Sequence, residues 1–322
     1  MTSNLIIPSI LIFTAVFATP RLNDISRPGK YESHPQRHSK SLGKQIQDTS
    51  PVVAPGAELQ KISDQFKFTE GPAADKNGNV YFTDQPNNNI WKYDTKGNLT
   101  LFFAGAGRSN GLYIDRKGNI ISCADENNEL WQISTTKKTK VLVKDFNGKR
   151  LNGPNDLWIH PKGDIYFTDP FYKRDYWKHT LQEQPGQYLF YYNKKSGKIE
   201  PVDTTFQRPN GIVGTGDGKY LFVADIGAGK TYRYGIQADG KLSDKKLFAP
   251  QGSDGMTIDR NGNLYLSGKG VTVYNPAGTK IAQIPVPANW TANLCFSGKD
   301  KDVLFITASE SVFTLKMKVK GY

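Results

Sequence analysis

One segment recurs along this chain at intervals of about forty residues, and that recurrence limits the fold more than any single motif does. EGPAADKNGNVYFTD, NGLYIDRKGNIISCAD, NDLWIHPKGDIYFTD, NGIVGTGDGKYLFVAD and DGMTIDRNGNLYLSG are visibly alike, and NLCFSGKDKDVLFITA is a weaker sixth copy. Aligned on their first residues (Glu70, Asn110, Asn155, Asn210, Asp254 and Asn293), the copies are spaced by 40, 45, 55, 44 and 39 residues. Five positions after the leading polar residue comes a turn, at Asp75, Asp115, His160, Thr215, Asp259 and Gly298. Three positions further the first five copies carry glycine (Gly78, Gly118, Gly163, Gly218, Gly262), which supplies the positive φ a hairpin needs. A strand-like run follows, and two more come after it in most copies, such as IWKYD and LTLFFAG in the first. Four short strands per unit, in six units, predict an all-β, six-bladed β-propeller. An all-β sandwich also accommodates short strands, but it does not explain one polar residue recurring in register. AELQKISDQF (57–66) is expected to add an outer strand that closes the ring and removes an exposed sheet edge.

Composition agrees with a folded all-β chain. Of 322 residues 37% are hydrophobic and 12% aromatic, enough for a core and too many for gross disorder. The net charge of +12 comes mostly from single lysines in turns, such as Lys76, Lys117, Lys162 and Lys219, without a run of five basic residues. These read as solvated turn residues rather than a polyanion groove, so no nucleic-acid partner is expected. Four histidines and two cysteines are too few for a zinc cluster or a disulfide framework, and Cys123 and Cys295 read as two buried thiols. At the N-terminus, Leu5 to Ala18 is almost wholly apolar. It is shorter than the roughly 20 residues a membrane span requires, and it ends at Ala18-Thr19-Pro20. We read residues 1–19 as a signal peptide, although Met1-Thr2-Ser3-Asn4 lacks the usual positive charge. That reading predicts export to the periplasm or the medium. Residues 20–56 are a polar arm or linker, and the propeller domain runs over 57–322.

In a propeller the first strand of each blade lines the central channel, so a position repeated in every blade falls on one ring about the axis. That ring reads Glu, Asn, Asn, Asn, Asp, Asn. Crowded polar groups in a channel are costly when unpaired, and two carboxylates at one end repel each other. One bound divalent cation resolves both problems. Carboxylate and amide oxygens are hard ligands; Ca²⁺ suits them best, while Mg²⁺, Mn²⁺ or Zn²⁺ could take its place. A plainer account treats each Asn-Gly or Asp-Gly as a turn, since Gly71, Gly111, Gly211 and Gly255 follow four of the ring residues. Glu70 is a poor turn residue, however, and Asn155 is followed by Asp156.

The motifs FTEGP (68–72), LNGPNDLWIHPKGDIYFTDP (151–170), RPNGI (208–212), GSDGMTID (252–259) and TANLCFSG (291–298) together resemble the gluconolactonase/regucalcin-like (SGL) family over about residues 57–320. The NGPND stretch is similar to the bacterial gluconolactonase branch. The resemblance implies a six-bladed propeller with one catalytic divalent cation at a channel mouth, held by Glu70, Asn155, Asn210 and Asp254. It implies hydrolysis of a sugar lactone, with Asp254 as general base, and a small-molecule lactone as the partner. Regucalcin-type members carry an arginine two residues before the Asn155 position; here Gly153 stands there. Arg108 is an expected substitute for it as a substrate contact, Asn110 is expected to line the channel against substrate, and Asn293 to line the channel.

The third repeat is the longest. Its extra length includes Phe171-Tyr172-Lys173-Arg174-Asp175-Tyr176-Trp177-Lys178-His179, and Tyr172 is an expected substrate contact there. His160, in a turn, reads as structural and His179 as solvated. GAGRSNG (105–111) and GTGDGK (214–219) read as hairpin turns, because no helix follows them. Serine-hydrolase chemistry is disfavoured: GRSNG (107–111) matches G-x-S-x-G, but no helix follows it. Two rivals share the fold: a propeller phosphotriesterase or arylesterase with the same cation, and a non-catalytic binding module. A strictosidine-synthase-like propeller is weaker, having no need of this oxygen set.

Overall fold

The computed structural model describes residues 50–322. The expected signal peptide and residues 20–49 of the arm lie outside the described residues. From Gln60 onward the chain forms six four-stranded antiparallel sheets, each built from consecutive strands except where the ring closes. The inner strands of the first, second, fourth and sixth blades are Thr69–Ala74, Ser109–Ile114, Pro209–Gly214 and Thr291–Ser297. Those of the third and fifth are shorter, Leu157–Ile159 and Met256–Ile258, and begin just after Asn155 and Asp254. Neighbouring inner strands touch all the way round, including first against sixth, so the sheets form a closed six-bladed β-propeller. Gln60–Ser63 pairs with Ser311–Lys316 as the outermost strand of the sixth blade. The closing strand expected from 57–66 is therefore present. Val52 and Val53 also pack into the core of the fifth and sixth blades, and Val53 bridges to Met317, so residues read from the sequence as arm belong to the body.

The hydrophobic core is divided among the seams between blades. Strand faces with alternating apolar residues meet the next sheet: Phe82 and Phe305 join the first and sixth blades, Phe167 and Leu130 the third and second, Leu264 and Leu221 the fifth and fourth. Burying each such side chain contributes about 2 kcal/mol. The hairpin glycines Gly78, Gly118, Gly163, Gly218 and Gly262 all have φ between 72° and 98°, as the turn requires. GTGDGK is one of these hairpins. GAGRSNG is not; it is the crossover from the outer strand of the first blade (Leu99–Ala104) to the inner strand of the second. Cys123 is a buried free thiol and Cys295 a half-buried one. His160 is structural, its Nε2 3.2 Å from the Gly218 carbonyl oxygen. His179 differs from expectation, being half-buried and stacked 4.6 Å from Trp177.

Candidate active site at the propeller axis

At one mouth of the axial channel lies a cavity of about 330 Å³ lined by Glu70, Asn110, Asn155, Asn210 and Asp254. Five blades thus bring their ring residue to one place. The sixth does not, and the reason is a slip of one residue in its register. Thr83 Oγ1 donates to the Asn110 carbonyl, Thr168 Oγ1 to that of Asn210, and Ser267 Oγ to that of Ala292. The same hydroxyl bond from blade to blade identifies Ala292, not Asn293, as the sixth ring residue. Asn293 instead matches Asp156: each takes a threonine Oγ1 on its N–H and caps the next backbone N–H with its own Oδ1.

This second tier explains the glycines that follow the ring residues. A Cβ on Gly71 would lie 2.1 Å from the Asn110 carbonyl oxygen, and one on Gly255 1.9 Å from the Asn293 side chain. Inner strands converge there and leave no room. Only Asp156 and Asn293 carry side chains at this level, and they meet across the axis, Asn293 Nδ2 donating to Asp156 Oδ2 at 3.2 Å. The pair lies between the ring cavity and a larger one of about 890 Å³ at the opposite mouth, which both residues also line. Among the described residues, none of those lining the larger cavity carries a buried side-chain polar atom without a partner, whereas Asn210 in the smaller one does.

The ring oxygens are poorly paired. Asn210 Nδ2 donates to Asp254 Oδ1 and to the Tyr172 hydroxyl, both at 2.9 Å, while Asn210 Oδ1 is buried without a partner. The side-chain amides of Asn110 and Asn155 are buried and make no hydrogen bond among the described residues. Glu70 Oε2 accepts from the Gly71 N–H at 3.0 Å. Burial, and then the charge of Asp254, push the Glu70 carboxyl well above the usual carboxylate range. Asp254 is pushed up to about 6 by burial, against hydrogen bonds from Trp290 and Asn210. Asp156 is pushed up to about 7, again chiefly by burial. Two carboxyl groups and the amides of Asn155 and Asn210 line one small cavity, and a divalent cation fits that donor set. Among the described residues no three of His, Cys, Asp and Glu form a cluster, because half of the candidate ligands are amides.

The rim is made by residues two positions before the ring, on the same strand face. Phe68, Arg208 and Trp290 line the cavity there, and Trp290 Nε1 donates to Asp254 Oδ2 at 2.6 Å. Arg108 occupies the equivalent place in the second blade but does not line the cavity. Its backbone is left-handed (φ 44°), and its guanidinium serves Glu126, the Pro86 carbonyl and the face of Tyr176. The expectation that Arg108 contacts substrate is corrected accordingly. At Gly153 (φ 149°) a Cβ would lie 2.7 Å from Asp125 Oδ1 and 2.9 Å from Trp177, so the insertion occupies the space an arginine side chain needs. The insertion supplies its own arginine. Tyr172 and Arg174 line the cavity, with Arg174 Nε on Asp125 Oδ2 at 2.9 Å. The Tyr176 hydroxyl also bonds Asp125, and Trp177 Nε1 donates to the Asp125 carbonyl, so one buried residue pins the whole loop.

Sequence reasoning brought forward five cavity residues and Tyr172, and missed Trp290, Arg174 and Arg208. The signal for Arg208 was its place two residues before Asn210; Trp290 stands three before Asn293 and carried no such signal.

The fold and the site together define a six-bladed β-propeller with a mixed carboxylate–amide cavity on its axis. The chain belongs to the SMP-30/Gluconolactonase/LRE-like family, which matches residues 68–310. It is 27% identical to a gluconolactonase of Zymomonas mobilis over 297 residues, 82% of each chain. It is 29% identical to the diisopropyl-fluorophosphatase of Loligo vulgaris, over 81% of this chain and 91% of that one. A calcium-binding regucalcin from Agrobacterium tumefaciens shares the fold, with a TM-score of 0.69 at 21% identity over 83% of this chain and 96% of that one.

Proposed function

We propose that this protein hydrolyses the ring ester of a sugar-type lactone at the axial site, with one divalent cation held by Glu70, Asn155, Asn210 and Asp254. The observation that carries this reading is the buried, partnerless Oδ1 of Asn210 beside two carboxyls pushed upward by burial. A cation held there would supply Lewis-acid polarisation of the lactone carbonyl and charge to offset the two carboxylates. Asp254 takes the proton from the attacking water and returns it to the ring oxygen as the acyl C–O bond breaks. Its two oxygens accept from Trp290 and Asn210, which fixes the carboxylate plane and leaves each oxygen a free lone pair. Asn110 and Tyr172 bound the space in which the lactone ring sits. The all-oxygen donor set favours Ca²⁺, and the calcium-binding regucalcin that shares the fold supports that choice.

Elemental analysis of purified protein, with gluconolactone assays before and after chelation, tests the reading. Glu70→Gln and Asp254→Asn are each expected to lower kcat at least about 10³-fold. Full turnover by the stripped protein rejects the mechanism. The likeness to the diisopropyl-fluorophosphatase favours a second reading, in which the same site attacks a phosphorus ester. Parallel assays on gluconolactone and an organophosphate separate the two. A protein that binds no cation and turns over neither is a binding module. The apolar run Leu5 to Ala18 supports export. Among the described residues no helix is long and apolar enough to cross a membrane. N-terminal sequencing of secreted material, starting near residue 20, checks the cleavage.

A further inference from the structure

The rim of the cavity carries more positive charge than the cation site accounts for. Arg174 and Arg208 both line the cavity. Both guanidiniums lie over the ring of Tyr172, 5.2 and 5.1 Å from its centroid. The Tyr172 hydroxyl is in turn bonded to Asn210, a candidate cation ligand. One phenol ring therefore sets both guanidiniums at a fixed place relative to the point where the ester would react.

The charges around the site can be paired off. Glu70 and Asp254 match a 2+ ion. Asp125, almost fully buried, matches Arg174 through its Nε; the terminal amino groups of Arg174 donate to nothing among the described residues. Glu126 matches Arg108. Asp225 lies beneath Arg208, but its oxygens accept the backbone N–H groups of Gln207, Arg208 and Ala228. The Arg208 guanidinium is exposed and makes no ion pair among the described residues. The remainder is one positive charge, on a planar group with free donors, beside a second set of free donors from Arg174. Lys173 and Lys178, exposed on the same insertion, add to the positive field. Paired guanidinium edges of this kind suit a carboxylate or a phosphate monoester, which take two parallel N–H bonds.

We infer that the preferred substrate is a lactone bearing a second, acidic group, a carboxylate or a phosphate, which Arg208 and Arg174 receive at the rim while the ring ester meets the axial site. The inference rests on the hydrolase reading and narrows its substrate class. A neutral sugar lactone has nothing to offer these two cations beyond hydroxyls. The rival account makes the guanidiniums only props for Tyr172, or gives them to the oxyanion of any lactone.

The experiment uses the full, cation-loaded protein with three substrates: gluconolactone (neutral), glucarolactone (carboxylate) and 6-phosphogluconolactone (phosphate). At least one charged lactone is expected to exceed the neutral one tenfold or more in kcat/KM, mainly through KM, and the better of the two identifies the group. Arg208→Gln is expected to lower the charged-over-neutral ratio at least tenfold, again through KM, and 0.5 M salt to shrink it. Equal or better turnover of the neutral lactone overturns the inference. So does an Arg208→Gln variant that loses kcat alike on all three. If no lactone is hydrolysed, the hydrolase reading is what fails. Calorimetric titration of wild type and Arg208→Gln with glucarate and 6-phosphogluconate then decides the rim by itself. Binding that Arg208→Gln weakens tenfold supports the anion subsite, and no binding, or equal binding, refutes it.

Discussion

Asp84, Asp169 and Asp225 stand at one position of the repeat, the last residue of the second strand, and Asp125 stands one residue beyond it in the second blade, where Ala124 holds that place. The first three do one job. Asp84 accepts the N–H groups of Lys67 and Phe68, Asp169 those of Asn152 and Gly153, and Asp225 those of Gln207 and Arg208. Each ties down the segment that enters its own blade. Asp125 does another. The shift by one residue, with the 3₁₀ turn Asp125–Asn127 that follows, presents its carboxylate to Gln85, Arg174 and Tyr176 beside the cavity. In the sequence all four look like the same strand-ending aspartate. A displacement of one position in a period-two element separates an architectural residue from one that organises the site.

That contrast can be attacked from four sides. The largest expected effect is on stability against pH. Burial pushes the Asp169 carboxyl from 3.8 up to about 7. Because the folded value is raised, its contribution is full below pH 4 and is lost as pH rises toward 7, by on the order of 4 kcal/mol. Urea unfolding at several pH values should show this fall in wild type and a smaller one in Asp169→Asn. Identical slopes would remove the assigned cause. Next, Asp84→Ala leaves two backbone N–H groups without their acceptor and should cost about 3 kcal/mol, read as a lower denaturation midpoint, while kcat/KM per folded molecule changes less than threefold. Asp125→Asn should behave in the opposite way. It weakens the hold on Arg174 and Tyr176, so KM should rise roughly tenfold. A large midpoint shift with unchanged KM would place Asp125 with the other three. The smallest effect is expected from Tyr172→Phe, which removes the oxygen that receives Asn210 Nδ2 and should raise KM about threefold to fivefold.

Gly153 and Trp290 show why parts of the site were hidden from the sequence. Gly153 departs from the regucalcin-type pattern, and nothing local explains it. The explanation is Trp177, more than twenty residues away, which fills the space beside its Cα. Trp290 lies in the stretch before the sixth repeat, and only the closing of the ring carries it to Asp254. Arg108 failed as a substrate contact for a local reason, its left-handed backbone, which the flanking glycines of GAGRSNG only hinted at. The sixth repeat misled in register because it lacks the glycine that marks the second tier in four of the other blades. Asn293 fills that tier and mimics a ring residue.

The sequence alone determined the number of blades, their order, the hairpin glycines and the ring residues of the first five, because these depend on short-range periodicity that repeats every forty residues or so. It also supplied the family resemblance that the match over residues 68–310 bears out. The tertiary structure decided which residue the sixth blade contributes, which arginines face the cavity and which aspartate holds the insertion. Those outcomes depend on how strands from different blades converge on a crowded axis, where one ångström of clearance or one residue of register selects the side chain that reaches the site.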